Sequence, residues 1–340
     1  MKIAVLCGGL SNERDVSISS GTGIARALRT LGHRAALIDL FLGCGPVTED
    51  TFTSEERDDP FSVAEKAPDL AAVRALRPGP GRIGPGVLEA CRAADIVFLA
   101  LHGEEGENGK IQAFLDLHEI RYTGSGYLGS ALAMNKSLTK TVLSRAGIVV
   151  PDSFMVHKND LPYAVPEHFP CVVKPCSGGS SVGTTIVHGP EAYADALALA
   201  FRYEDSVLVE QFISGRELTV GVLGGKAMPV IEIIPKNGFY DYKNKYQAGL
   251  TLELCPAPIS AGETANIQRL AERVYHALML EAYGRVDFIR AGDGTFYCLE
   301  ANTLPGMTPT SLVPRMGLEM GLSYAELCQR LVDESLKKYA

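Results

Sequence analysis

The sequence predicts a three-part α/β or α+β protein. Three observations carry this. Residues 2–40 read as strand, helix, strand: "KIAVLCGG" is a buried parallel strand entering a Gly turn, "DVSISSGTGIARALRTLG" a helix closed by Gly32, and "RAALIDL" a second buried strand. From 171 onward short strands and helices mix, and from 217 the pattern is rich in strands. The chain has 340 residues, which suits two or three domains, with no internal repeat and no low-complexity tract.

The elements follow in order. Residues 41–60 are polar, acidic and broken by Gly and Pro, so they are expected to form a surface insertion or loop, and 77–86, "RPGPGRIGPG", another. "ADIVFLALHG" is a third buried strand running into a loop, "GKIQAFLDLHEI" a helix, and "RYTGSG" ends the first part near 125. "GYLGSALAMNKSLTKTVLSRAGI" predicts one helical stretch ahead of Pro151. "PCVVKP" and "TTIVH" are strands joined by "CSGGSSVG", followed by a helix in "EAYADALALAFRY" and a strand in "SVLVEQFI". The last part holds strands "LTVGVLGG" and "AMPVIEII", a loop over 235–250, an amphipathic helix in "ETANIQRLAERVYHALML", a strand pair over 284–302 and a C-terminal helix. The expected divisions are 1–125, 126–216 and 217–340.

Composition narrows the classes. The chain is 46% hydrophobic and 21% charged with a formal charge of −8, which speaks against a nucleic-acid partner. Its 8 Cys form no CxxC pair, and Cys7, Cys171 and Cys298 lie in apolar runs, as small core residues of a reducing cytoplasm do. The first apolar run is too short for a signal peptide, and none approaches the ~18 residues of a membrane span, so no membrane partner is expected.

Three stretches carry chemistry. "KPCSGGSSVG", 174–183, is a Gly/Ser hairpin that can offer backbone N–H groups to phosphates, with Lys174 on the strand before it; as a structural feature alone it is a mobile surface hairpin. "LVEQFISGRELTV", 208–220, ends a strand and turns with two Glu in place for an adenine edge and a ribose, although charged turn residues are usually just solvated. In "GRVDFIRAGDGTFYCLEANTLPGMT", 284–308, alternation aims Arg285, Asp287, Glu300 and Asn302 to one side of two strands. Carboxylates held together repel, so something positive belongs between them. The set is hard oxygen donors without His or Cys, which suits Mg²⁺ shared with substrate phosphates. The competing structural reading is a salt-bridge cluster with Arg285.

On these strings the sequence resembles the D-alanine–D-alanine ligases of the ATP-grasp superfamily. "GGLSNERDVS" at 8, "ALHGEEGENG" at 100, "YTGSG" at 122, "KPCSGGSSVG" at 174, "FYDYKNKY" at 239, "CPA" at 255, "GRVDF" at 284 and "LEANTLPGMTPTSLVP" at 299 occur in family order over nearly the whole chain. The resemblance implies an ATP-grasp fold with a Rossmann-like N-terminal domain. It implies ligation of two D-alanines through a D-alanyl phosphate, for peptidoglycan precursor synthesis, by a cytoplasmic homodimer using ATP and two Mg²⁺ ions, for which Mn²⁺ can substitute. D-Alanyl-D-serine or D-alanyl-D-lactate formation, or another ATP-grasp carboxylate–amine ligation, is the alternative; Tyr246 favours D-alanine over D-lactate.

By the same resemblance Glu13 holds the ammonium of the first D-alanine, and His102 lies close to its carboxylate. Lys136, Lys174 and Lys245 reach phosphates. Ser180 and Ser181 lie in the flap, with Ser180 linked to Glu13 and Tyr246 in a set that closes the lid. Glu210, the backbone near Phe212 and Ile213, and Glu217 hold adenine and ribose. Asp287, Glu300 and Asn302 bind metal, Arg285 and the Gly306 N–H form an oxyanion hole, and Ser311 with the Leu312 backbone takes the second carboxylate. Two positions depart from the family pattern: Asn135 where Asp is common, and Leu304 where Ser is usual. The first leaves the lysine in place, and at the second the backbone matters more than the side chain.

Overall fold

The computed structural model describes residues 1–55, 68–236 and 250–340. Three sheets organise them. The first is parallel, ordered β2-β1-β3, from β1 (Lys2–Cys7), β2 (Arg34–Asp39) and β3 (Ile96–Leu99). Its strands are apolar almost throughout, because helices cover a parallel sheet on both faces. Helix α1 (Arg14–Thr30) joins β1 to β2 and ends at Gly32, whose φ of +82 lets the chain reverse.

Residues 41–55 form the expected surface loop, but it is pinned to the first sheet. Phe41 and Phe52 are 0% and 2% exposed, and Thr53 extends the sheet edge by a bridge to Ala35. The 77–86 segment packs on the same region: the Gly84 N–H donates to Leu40 O at 2.8 Å and the Cys44 N–H to Pro85 O at 3.0 Å. Two aromatic anchors inside a polar composition hold the loop down, since burying each is worth about 1.5–3 kcal/mol. Residues 56–60 of that expected insertion lie outside the described residues.

Helices α2 (Leu70–Leu76), α3 (Val87–Ala93), α4 (Glu104–Glu107) and α5 (Lys110–Leu117) complete the N-terminal part. The single helical stretch expected after 126 is two helices, α6 (Tyr127–Met134) and α7 (Lys136–Arg145). Asn135 breaks them: its ψ of 101 is extended, and its side chain accepts the Leu138 N–H as the N-cap of α7. The cap sets Lys136 at the start of α7, facing inward.

The second sheet is antiparallel, ordered β4-β7-β5-β6, from β4 (Ser153–His157), β5 (Cys171–Pro175), β6 (Thr185–Val187) and β7 (Ser206–Gln211), with α8 (Tyr193–Ala200) packed on it. The third, also antiparallel, is ordered β10-β9-β8-β11-β12, from β8 (Gly215–Leu223), β9 (Lys226–Pro235), β10 (Thr251–Leu254), β11 (Tyr283–Ala291) and β12 (Phe296–Asn302). Helix α9 (Ala261–Ala277) covers one face; it opens on a Ser260/Glu263 capping box. Helices α10 (Leu312–Glu319) and α11 (Tyr324–Leu336) close the chain. The apolar face of α11 joins the core of the first sheet, where Leu327 and Leu331 share a cluster with Ile24 and Leu28. Both ends of the chain therefore pack together, and the three sheets converge on one cavity system.

Candidate active site

The strand pair β11/β12 sets the charged centre. Arg285 stands opposite Asn302 and Asp287 opposite Glu300, so all four side chains share one face. Asp287 is 7% exposed. It accepts from Arg285 Nε and Nη2 at 2.9 and 2.9 Å, from Thr219 Oγ1 at 2.6 Å and from Asn302 Nδ2 at 2.9 Å. Lys136 Nζ lies 3.7 Å from Glu300 Oε2. The positive charge between the carboxylates is thus supplied here by Arg285 and Lys136.

Among the described residues no group of three or more His, Cys, Asp or Glu is arranged to hold a metal ion. The donor set in this place is two carboxylates and an amide oxygen. That is too few for an all-protein cage, and it fits Mg²⁺, which keeps waters and completes its shell with substrate phosphates.

A slot opens between the second and third sheets, where 211–215 crosses from β7 to β8. Lys136, Lys174, Glu210, Phe212, Ile213, Glu217, Asp287 and Glu300 all line it, with the flap residues 178–182 over it. Glu210 is 5% exposed and does not stand alone: Lys174 Nζ is 2.5 Å from Oε1 and Lys140 Nζ 2.9 Å from Oε2. Those two ammonium groups hold the Glu210 carboxyl below the usual range against the opposing effect of burial. Burial lowers the pKa of Lys140, and its ammonium also donates to Pro151 O at 3.1 Å. In the flap Ser180 and Ser181 have φ of +51 and +57, a left-handed conformation that costs a non-Gly residue about 1–2 kcal/mol.

A second cavity, of about 390 Å³, adjoins the slot. Glu13, His102, Ser180, Arg285, Gly306, Ser311 and Leu312 line it, drawn from all three parts of the chain. Glu13 ends the loop after β1, and its Oε1 accepts the Ser180 hydroxyl, tying the flap to the N-terminal part. His102 is 5% exposed, and burial depresses its pKa, so the ring is neutral near pH 7. Its Nδ1–H donates to Leu304 O at 2.9 Å and its Nε2 accepts the Ser20 hydroxyl at 3.2 Å. The ring thus lines the cavity while both nitrogens serve protein partners. Ser311 Oγ is 2.7 Å from Thr308 Oγ1 and accepts the Thr308 N–H at 3.1 Å. The two cavities have Gly179, Ser180 and Glu300 in common.

Sequence reasoning missed three residues here. Lys140 sits one helical turn after Lys136, a spacing that could have flagged it. Glu107 lies in "ALHGEEGENG" and lines the second cavity, where burial and the neighbouring Glu13 push its pKa up to about 8. Glu253 lines the same cavity, 3.1 Å from Arg315 Nε, with no signal in its own string. Lys245 and Tyr246 lie outside the described residues.

Family models described as D-ala D-ala ligase N-terminus and D-ala D-ala ligase C-terminus match residues 2–125 and 142–333. Curated proteins named D-alanine--D-alanine ligase are similar over the full length. That of Pediococcus pentosaceus is 44% identical, covering 100% of this chain and 99% of the relative. That of Lacticaseibacillus casei is 43% identical, covering 100% and 97%. Among solved structures, the D-alanine--D-alanine ligase from Bacillus anthracis superposes with a TM-score of 0.78 at 31% identity, covering 99% of this chain and 98% of that one. The same enzyme complexed with ATP gives 0.76 at 28% identity with the same coverage.

Proposed function

Because the chain belongs to the D-alanine–D-alanine ligase family, we propose that it joins two D-alanines with hydrolysis of ATP to ADP and phosphate, through a D-alanyl phosphate, to supply cell-wall precursor. The observation that carries the reading is the meeting of the two cavities at Ser180 and Glu300. A nucleotide in the slot between the sheets points its last phosphate at that junction, and a carboxylate in the second cavity meets it there.

In this reading Glu13 takes the ammonium of the first D-alanine and leaves its carboxylate toward the junction. Glu210, the backbone of Phe212 and Ile213, and Glu217 hold the adenosine. Lys136 and Lys174 neutralise the phosphoryl group as it transfers, which is the main demand of phosphoryl transfer. Asp287, Glu300 and Asn302 would hold magnesium, which when bound draws charge from the phosphate oxygens. Ser311 and the Leu312 N–H, at the start of α10, receive the carboxylate of the second D-alanine. Its amine, once it has lost a proton, attacks the acyl carbon. The carbonyl oxygen gains charge, and the Arg285 guanidinium and the Gly306 N–H stabilise it by about 3–4 kcal/mol per donor. Its plane is fixed by the paired bonds to Asp287. The C–O bond to phosphate then breaks, releasing phosphate and the dipeptide. Water would destroy the acyl phosphate, and the tie between Ser180 and Glu13 supports a flap that excludes it.

We extend the reading to a cytoplasmic homodimer, which sedimentation of the purified protein tests. The reaction itself is tested by phosphate release from ATP with D-alanine, D-serine and D-lactate offered in parallel. Turnover with D-alanine alone as both partners supports it. Release only when D-serine or D-lactate accompanies D-alanine moves the chain to the corresponding variant.

A further inference from the structure

The loop 303–311 carries the Gly306 N–H, yet its anchors lie in the N-terminal part. His102 Nδ1 holds Leu304 O at 2.9 Å, and Ser20 Oγ accepts the Met307 N–H at 3.3 Å while donating to His102 Nε2 at 3.2 Å. Glu107 lines the same cavity as Leu304, and the Leu304 N–H faces its carboxyl and draws its pKa down. Glu107 is itself fixed, accepting the Gly103 N–H at 2.6 Å at the end of the four-residue helix α4. That helix cannot shift easily. A Cβ on Gly106 would meet Leu101 Cβ at 2.6 Å, and Gln112 Nε2 holds Gly106 O at 2.7 Å. Leu304 is 3% exposed and is followed by Pro305, whose ring fixes φ and carries the orientation of the Leu304 peptide into Gly306.

We propose that Glu107 is a positioning residue: with His102 and Ser20 it holds the Leu304 N–H, the Leu304 C=O and the Met307 N–H, the backbone groups on either side of Gly306, and so sets the Gly306 N–H at the oxyanion position. The role rests on the ligase reading for its catalytic meaning, and on the contacts above for its structural one. It accounts for Leu304 standing where a serine is usual. The clamp takes hold of the backbone, and the side chain is free to pack against the 122–126 segment, where a Cβ on Gly124 would meet Leu304 Cδ2 at 3.3 Å. A misplacement of about 1 Å at such a donor costs on the order of 100-fold in rate.

The test uses the full-length protein and the variants Glu107→Ala, Glu107→Gln and Ser20→Ala. Glu107→Ala is expected to lower kcat on the order of 100-fold with the KM for ATP within about twofold. Its affinity for a tetrahedral phosphinate analogue of the dipeptide should fall by the same factor as kcat/KM. Glu107→Gln keeps a carbonyl oxygen as acceptor and, like the protonated acid near pH 7, carries no charge, so it should recover most of the loss. Ser20→Ala, which removes a different anchor, should weaken phosphinate binding in the same direction. Hydrogen exchange at Leu304, Gly306 and Met307 should speed up in both alanine variants. A Glu107→Ala enzyme whose KM for D-alanine rises while kcat and phosphinate affinity hold would make Glu107 a substrate ligand and overturn the proposal. So would unchanged exchange in the loop, or a Glu107→Gln enzyme as impaired as the alanine variant. Absence of dipeptide synthesis by the parent enzyme would sink the ligase reading instead, and the exchange measurement would still judge the clamp.

Discussion

Glu300 concentrates the chemistry proposed for this chain in one side chain. It stands where the two cavities meet, faces Asp287 across a strand pair, and has Lys136 3.7 Å away. Glu300→Gln keeps the shape and removes the charge. It is expected to abolish phosphoryl transfer with under about 1 kcal/mol lost in stability, because a partly exposed carboxylate near a lysine contributes little to folding. Normal turnover at ordinary Mg²⁺ would show that the metal assignment is wrong. Glu107 makes the opposite kind of prediction, about stability. Between pH 4.5 and about 8 the native Glu107 retains a proton that the unfolded chain has released, so the native state binds more protons. Stability from this group therefore falls as pH rises through that window. Glu13 faces it from the loop after β1 and Arg285 from β11, while His102, after β3, lines the same cavity. Glu107→Gln cannot ionise, so urea unfolding should find it gaining on the parent from pH 5 to 8. Parallel curves across that range would contradict the burial argument. At this scale the sequence was informative wherever side chains alternate along a strand: Arg285, Asp287, Glu300 and Asn302 fell on one face as period-two spacing requires. It was silent on Glu107 and Ser20, whose importance comes from the distant loop 303–311 that no local pattern reveals.

Among the elements, the flap and the α6–α7 break do the most to shape the site. Gly179 has no side chain where one would come 3.0 Å from Glu13 Oε2. Gly179→Ala should therefore displace the Glu13 carboxylate and raise the KM for D-alanine on the order of tenfold, about 1.4 kcal/mol. The KM for ATP should stay within about twofold, since the new methyl faces the second cavity. Steady-state kinetics with each substrate varied decides it, and a loss confined to ATP would mean that the flap governs the nucleotide alone. The helix break shows what composition hides. Periodicity over 127–145 runs through Asn135 without interruption, and only its cap to Leu138 divides the stretch. Residues 41–55 show the converse. Their acidic, Gly-rich composition reads as a surface loop, which they form, but it hides the two points, Phe41 and Phe52, that pin the loop to the sheet. The strands of the first sheet, by contrast, were legible because a parallel sheet buried on both faces leaves continuous apolar runs.

Across the whole molecule, separate parts of the chain depend on each other for a site that none of them holds alone. Helix α11 packs into the core of the first sheet, and the segment after it clasps residues 122–124: Lys338 Nζ donates to Gly124 O at 2.6 Å and the Tyr122 N–H to Tyr339 Oη at 3.0 Å. Glu281 holds the Gly126 N–H at 2.9 Å from the opposite side. Such contacts keep the N-terminal part, with Glu13 and His102, in register with the strand pair that carries Arg285. Motif order along the chain pointed to this assembly, but the pairing of the chain ends could not be read from any one segment. No helix among the described residues is long and apolar enough to cross a membrane. Activation of a D-alanine carboxylate as an acyl phosphate, proposed to occur where the two cavities meet, can be followed atom by atom. The enzyme is given ATP, Mg²⁺ and D-alanine labelled with ¹⁸O in both carboxylate oxygens, and the products are analysed by mass spectrometry. An acyl-phosphate route gives ADP, D-alanyl-D-alanine, and inorganic phosphate carrying one ¹⁸O for each dipeptide formed. Unlabelled phosphate, or AMP with pyrophosphate, would contradict it.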